Sequence, residues 1–137
     1  MKPGKPLAFG TLKAEGGREV PHLGLPGNPV SSMTTFEQFA RPAIFKMLGK
    51  TACTRPAVLA TIDQDIINDD GRRVYARVRI SRTADGWQAI LTGPQGSGIL
   101  TSMSAANGLA IVPEDFPLAR AGDKLTVQLL DNAEGIL

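Results

Sequence analysis

Two short stretches hold the residues best suited to gripping an anion. The first is Lys2-Pro3-Gly4-Lys5-Pro6, in which prolines fix the backbone and place two ammonium groups, Lys2 and Lys5, on a stiff extended segment. Gly4 between them permits close approach by a ligand or by another part of the backbone. The second is Gly24-Leu25-Pro26-Gly27-Asn28-Pro29-Val30-Ser31, a strand end that turns through Gly27 into a helix start. Free N–H groups and the positive end of the helix dipole favour phosphate or another oxyanion there. The plainer alternatives are that Asn28 simply caps the helix, the prolines simply stiffen the turn, and terminal lysines simply solubilise the chain.

A third segment, Gly93-Pro94-Gln95-Gly96-Ser97-Gly98 with Thr101, Ser102 and Ser104 behind it, is rich in hydroxyl and backbone donors. Such a loop can form an anion-binding nest, or be no more than a strand connection. Arg77, with Arg73 and Arg79 on the same side of a strand, could meet a phosphate through its forked guanidinium. The competing expectation is an exposed strand face of solvated arginines.

Other chemistries are poorly supported. The only histidine, His22, lies far from Ser97, Ser102 and Ser104 in sequence and reads as a strand residue, which weakens any Ser-His-Asp scheme. One Cys, Cys53, excludes an intrachain disulfide and, with one His, cannot build a zinc site of four N/S ligands. Asp63, Asp65, Asp69 and Asp70 lack the glycine and glutamate positions of a calcium loop and read as a solvated turn. No metal-ligating residues are assigned.

The elements that must position these groups are legible in the patterning. Leu7–Leu12 and Val20–Leu25 flank the turn Glu15-Gly16-Gly17-Arg18 as a hairpin. From Asn28 a helix follows, with Pro29 first and Val30, Met33, Phe36, Ala40, Ile44, Met47 and Leu48 at helical spacing; Gly49 stops it. Pro42 interrupts its hydrogen bonding and predicts a kink near 38–41. Beyond it come strand candidates Ala57–Ile62, Arg73–Arg82, Trp87–Thr92, Gly108–Val112 and Lys124–Leu130. Alternation puts Val74, Ala76, Val78 and Ile80 on one face and Arg73, Tyr75, Arg77 and Arg79 on a face that is wet or holds an anion. Asp85-Gly86 marks a hairpin turn.

Composition sets the outer bounds. A chain of 137 residues with 42% hydrophobic and 20% charged residues can bury a core, which excludes global disorder. The net charge of +2 and the scarcity of aromatics argue against a dedicated nucleic-acid binder. No apolar run reaches the roughly 18 to 20 residues of a membrane span, and no signal peptide follows Met1, so a soluble cytoplasmic protein is expected. Residues 1–50 carry +4 and the rest −2, with a change from helical to strand-like texture at the same place.

Taken in order, Lys2-Pro3-Gly4-Lys5-Pro6, Pro26-Gly27-Asn28-Pro29, Thr35–Ala43 with its Pro42, Gly71-Arg72-Arg73, Arg77, Gly96-Ser97-Gly98 and Ser104–Leu109 with Pro113 resemble the molybdopterin molybdenumtransferase family, the family of MoeA and of the gephyrin E domain. The resemblance implies an α+β chain. Residues 1–51 would be the last hairpin and helix of a central α/β (MogA-like) molybdopterin-binding domain, truncated, and residues 52–137 a small, mostly antiparallel β-barrel domain. It implies molybdenum cofactor biosynthesis, in which molybdate reacts with adenylated molybdopterin in a magnesium-assisted step that releases AMP. It maps substrate-binding roles onto Lys2, Gly4, Lys5, Gly27, Asn28, Ser31, Arg77 and Ser97, with Arg79 as a rival for Arg77.

The family's acidic residues have no counterpart here, so no catalytic set is complete and the magnesium ligands would lie outside this chain. Met1 would then be internal to a longer parent, and the chain alone is expected to be inactive. A homodimer is implied for the full-length protein, with Arg77 and Ser97 acting across subunits. The rival expectation is a noncatalytic β-barrel module that docks a protein or nucleic acid.

Overall fold

The computed structural model describes residues 1–130; the last part of the expected 52–137 barrel domain, residues 131–137, lies outside the described residues. The hairpin forms as expected: β1 (Ala8–Lys13) pairs antiparallel with β2 (Glu19–Gly24), joined by a single 3-10 turn at Glu15–Gly17. Both glycines of that turn hold positive φ, 80° at Gly16 and 77° at Gly17, which explains why the polar connection is glycine-rich.

α1 (Pro29–Thr35) starts with Pro29 in its first turn. It runs into a π-helical turn at Phe36–Ala40 and then into α2 (Arg41–Met47). The wide turn answers Pro42: without a proline N–H the ladder is interrupted, and the Arg41 N–H reaches back to the Phe36 carbonyl instead. The expected kink is therefore a π turn. After α2 the chain reverses at Gly49, where φ is 74°.

The rest is a closed five-stranded barrel built from β3 (Ala57–Ile62), β5 (Val74–Thr83), β6 (Gly86–Leu91), β7 (Gly108–Val112) and β9 (Lys124–Leu129). Around it the order is β3-β6-β5-β7-β9, with every pair antiparallel except β3 with β6. Closure leaves the five strands without a free edge. Ala76, Val78, Ala89, Ala110 and Val127 point inward and are essentially inaccessible. At Gly108 a Cβ would lie 2.8 Å from Val127 Cγ1, so the strand crossing there requires glycine.

Three short elements are absent from the sequence-based expectation. β4 (Ile66–Ile67) and β8 (Leu118–Ala119) form a two-residue antiparallel clasp, and α3 (Leu100–Ser104) packs against α1. Two to five residues carry too little periodicity to be recognised.

Two expectations are overturned. The face of β5 opposite the barrel interior is neither uniformly wet nor open: Tyr75 is 9% exposed, beside the Lys2 segment, and Arg77 only 1%, held under the 93–98 loop and Ser102 of α3. Alternation reports which face a residue takes, not what lies over it. The Asp63–Asp70 stretch keeps its aspartates exposed but is more than a solvated turn, since Asp63 and Asp65 hold the backbone of distant segments and Asp70 its near neighbour Arg72. Asp63 accepts from the Leu91 N–H at 3.1 Å, Asp65 from the Ala121 N–H at 2.8 Å, and Asp70 from Arg72.

The N-terminal segment is tied to the barrel at several points. The Lys2 N–H donates to the Arg73 carbonyl at 2.8 Å, and the Tyr75 N–H to the Lys2 carbonyl at 2.9 Å, laying the segment beside the start of β5. Glu37 meets the Arg55 guanidinium through both carboxylate oxygens. Most of the helical apolar positions stay uncovered: Met33, Phe36, Phe39, Ile44, Met47 and Leu48 are exposed, while Val30 is fully buried.

Candidate functional site

The extended Lys2-Pro3-Gly4-Lys5-Pro6 segment, the Pro26-Gly27-Asn28 turn and the 93–98 loop meet around one open cavity of about 400 Å³. Gly4 is needed where these pieces close up. Its φ is 111°, and a Cβ there would fall 2.5 Å from Thr35 Cγ2. Thr35 is itself fixed, fully buried with its hydroxyl donating to the Ser31 carbonyl at 2.7 Å. The lysine segment is thus held tightly against α1.

Of the eight residues singled out from sequence, seven line this cavity: Lys2, Gly4, Lys5, Gly27, Asn28, Ser31 and Ser97. They come from three stretches up to 95 positions apart, and the fold brings them to one place. Asn28 occupies the N-cap position of α1, but its side chain makes no capping bond. Instead its amide donates to the Ser97 hydroxyl at 3.0 Å, within the same chain, while Asn28 Oδ1 is buried without a partner. The capping explanation of Asn28 is therefore displaced by a bridging one: the amide is committed to Ser97, and the unpaired oxygen is a group that an N–H or O–H donor would satisfy.

The cations around the cavity differ in how free they are. Lys2 forms ion pairs with Asp70 at 3.4 Å and Asp69 at 3.6 Å. Arg72, a wall residue named in the Gly71-Arg72-Arg73 motif but given no site role from sequence, is held by Asp70, whose carboxyl pKa the Arg72 hydrogen bond lowers to about 2. Lys5 is exposed beside them.

Arg77 is not brought into this cavity. Its guanidinium donates to the Ser102 hydroxyl at 3.0 Å, the Gly96 carbonyl at 3.0 Å and the Pro94 carbonyl at 3.2 Å. Burial shifts its pKa downward, yet so strong a base stays charged, and the carbonyls supply the acceptors its charge requires. Gln95, named in the 93–98 loop but given no role of its own from sequence, completes the clamp by accepting from the Arg77 N–H at 2.7 Å and donating to the Arg77 carbonyl at 3.2 Å. Arg77 thereby fixes the loop that carries Ser97. The rival Arg79 is exposed on β5 and does not line this cavity.

With this geometry in place, the similarities to known proteins fall into line. The family described as "MoeA C-terminal region (domain IV)" matches residues 60–130. Molybdopterin molybdenumtransferase 2 of Mycobacterium tuberculosis is 33% identical over 127 residues, covering 93% of this chain and 30% of that protein. The molybdenum cofactor synthesis protein cinnamon of Drosophila melanogaster is 34% identical over 136 residues, 95% of this chain and 22% of that protein. The crystal structure of the molybdopterin biosynthesis moeA protein from Pyrococcus horikoshii superposes with a TM-score of 0.72 at 29% identity, covering 93% of this chain and 30% of that one. The chain thus spans about a third or less of the length of these relatives.

Proposed function

Because this chain belongs to the family of MoeA C-terminal regions, we propose that it supplies the anion-holding part of a molybdopterin molybdenumtransferase, which inserts molybdate into adenylated molybdopterin with release of AMP. The observation that carries this reading is the convergence of Lys2, Lys5 and Arg72 with the Asn28–Ser97 pair on one cavity. Molybdate and the phosphates of the nucleotide are both anionic and rich in oxygen acceptors. Ammonium and guanidinium donors set around them neutralise the charge that shifts between oxygens as the phosphate leaves. The Ser97 hydroxyl, oriented by Asn28, supplies a directed hydrogen bond, and Arg77 acts by fixing the loop beneath it.

The family resemblance also implies magnesium. Among the described residues no group of three or more His, Cys, Asp or Glu side chains converges, and Asp69 and Asp70 are engaged by Lys2 and Arg72. These residues do not fit a magnesium site, and no step is assigned to the ion. On this reading the chain binds the anion but does not by itself turn over.

A homodimer is the assembly we propose, acting in the cytoplasm. Its support is the uncovered apolar run Met33, Phe36, Phe39, Ile44, Met47 and Leu48, since exposed apolar surface on this scale favours association. The same run favours, as the second reading, a noncatalytic module that docks another protein. Among the described residues no helix is long and apolar enough to cross a membrane.

Calorimetric titration with molybdate tests the proposal. Binding that weakens by on the order of 10-fold or more in Lys5→Ala, and that falls as salt is raised, is expected from the loss of one charge-assisted contact. Equal molybdate affinity in wild type and Lys5→Ala would remove the site and promote the docking module.

A further inference from the structure

The positive charge of the lysine-lined cavity is partly cancelled from behind its wall. Lys2, Lys5 and Arg72 line the cavity; Asp70 does not, yet it grips two of these three cations. Its Oδ2 lies 3.4 Å from Lys2 Nζ and accepts from Arg72 Nε at 3.1 Å, while its Oδ1 accepts from the Arg72 backbone N–H at 3.2 Å. Asp69 reaches Lys2, at 3.6 Å. Lys5 forms no ion pair among the described residues. Because Arg72 holds the Asp70 carboxyl near 2, that carboxylate stays ionised through the neutral range. Three lining cations against two carboxylates leave a net charge of +1 around the cavity.

We infer that Asp70 determines which charge of oxyanion this cavity accepts, acting as a built-in counter-ion that disfavours a dianion more than a monoanion. The inference rests on the anion-holding reading given above and adds to it a residue outside the cavity lining. Two features carry it. Asp70 occupies side-chain donors of Arg72, so the guanidinium enters the wall with its charge already paired and part of its fork spent. Coulomb energy follows the product of the charges, so a fixed negative charge behind the wall repels a 2− ion twice as strongly as a 1− ion in the same place. Removing it multiplies the binding constant of a monoanion by one factor and that of a dianion of the same shape by about the square of that factor. Size does not enter, so a small and a large dianion gain alike. A carboxylate whose task was only to hold Lys2 and Arg72 in place would act in the opposite direction, since its loss would slacken both cations and weaken every anion. Moderating the grip on the dianion keeps binding energy from being spent on the ground state.

Calorimetric titration of the whole chain at low salt with molybdate, sulfate and perrhenate provides the test, perrhenate being a tetrahedral oxyanion close to molybdate in size with half its charge. Asp70→Asn removes the charge and keeps an oxygen for the Arg72 N–H. It is expected to raise perrhenate affinity about 3-fold and the affinities of molybdate and sulfate about 10-fold, and both gains should shrink as salt is raised. Asp70→Glu keeps the charge and should retain the wild-type ratio of molybdate to perrhenate affinity. Asp69→Asn, at a side chain 75% exposed and paired with Lys2, should move that ratio in the same direction by a smaller factor, and replaces Asp70→Asn if the latter does not fold. An unchanged ratio in the asparagine variant, or weaker binding of all three anions, would overturn the inference, and molybdate binding that still depends on Lys5 would then leave the anion site standing. Molybdate affinity indifferent to Lys5→Ala would overturn the anion site and this inference with it.

Discussion

The Asn28 amide and the Ser97 hydroxyl lie 3.0 Å apart although 69 residues separate them in the chain, so the helix start and the barrel loop are linked at the cavity by a single hydrogen bond. Because the pair is exposed, its net contribution to stability is small, whereas its effect on the direction of the hydroxyl is large. Ser97→Ala should lower the unfolding free energy by less than about 1 kcal/mol while weakening molybdate binding clearly. Urea denaturation alongside calorimetry separates the two effects. A large loss of stability with unchanged molybdate affinity would make Ser97 a structural residue only.

Arg77 should behave in the opposite way. It is 1% exposed and gives three hydrogen bonds to Ser102, Pro94 and Gly96, so Arg77→Ala leaves buried acceptors without donors as well as a cavity. A destabilisation of about 3 kcal/mol is expected from breaking a buried charged network. Arg77→Lys keeps the charge but not the fork, and should recover only part of it. Denaturant midpoints would check both, and a stability unchanged by Arg77→Ala would contradict the loop-clamping role.

Gly4→Ala places a methyl group 2.5 Å from Thr35 Cγ2 at a backbone φ of 111°. Strain at such a φ and the steric overlap together should cost about 2 to 4 kcal/mol. Thr35→Ser removes Cγ2, so the double variant should recover the steric share but not the backbone share. Thermal unfolding of the single and double variants measures the difference.

Asp70 should titrate far below an ordinary aspartate, near 2 rather than 3.8, chiefly because Arg72 donates to its charged form. Since the folded value is depressed, the linkage of Asp70 to Lys2 and Arg72 is fully present above about pH 4 and lost as pH falls toward 2. An NMR titration of the Asp70 carboxyl in wild type and Arg72→Ala gives the test. The variant should move back toward 3.8.

How much of this was legible in the sequence depends on the range of the interaction involved. The five barrel strands, the hairpin and the helix start are written in local patterning, so β3 and β7 coincide with the expected runs and β5, β6 and β9 differ by a single residue at one or both ends. Pro42 signalled a break whose form, a π turn, depends on which carbonyl the Arg41 N–H finds. Burial of Arg77 could not be read, because alternation assigns it the outer face of β5 and only the tertiary fold lays the 93–98 loop across it. Lys2, Lys5, Asn28 and Ser97 were found through family resemblance and residue chemistry. Arg72 and Gln95 stood in motifs named from the sequence but were given no site role, because one resembles a turn arginine and the other a loop filler, and each gains its role only from Asp70 or Arg77.

The central claim is that the lysine-lined cavity holds molybdate, and anomalous X-ray scattering from crystals of the chain soaked in molybdate addresses it most directly. The account predicts a molybdenum peak within hydrogen-bonding distance of Lys5 Nζ and Ser97 Oγ in the wild type, and its disappearance in Lys5→Ala. A peak elsewhere, or one at the cavity that survives Lys5→Ala at equal strength, would contradict it.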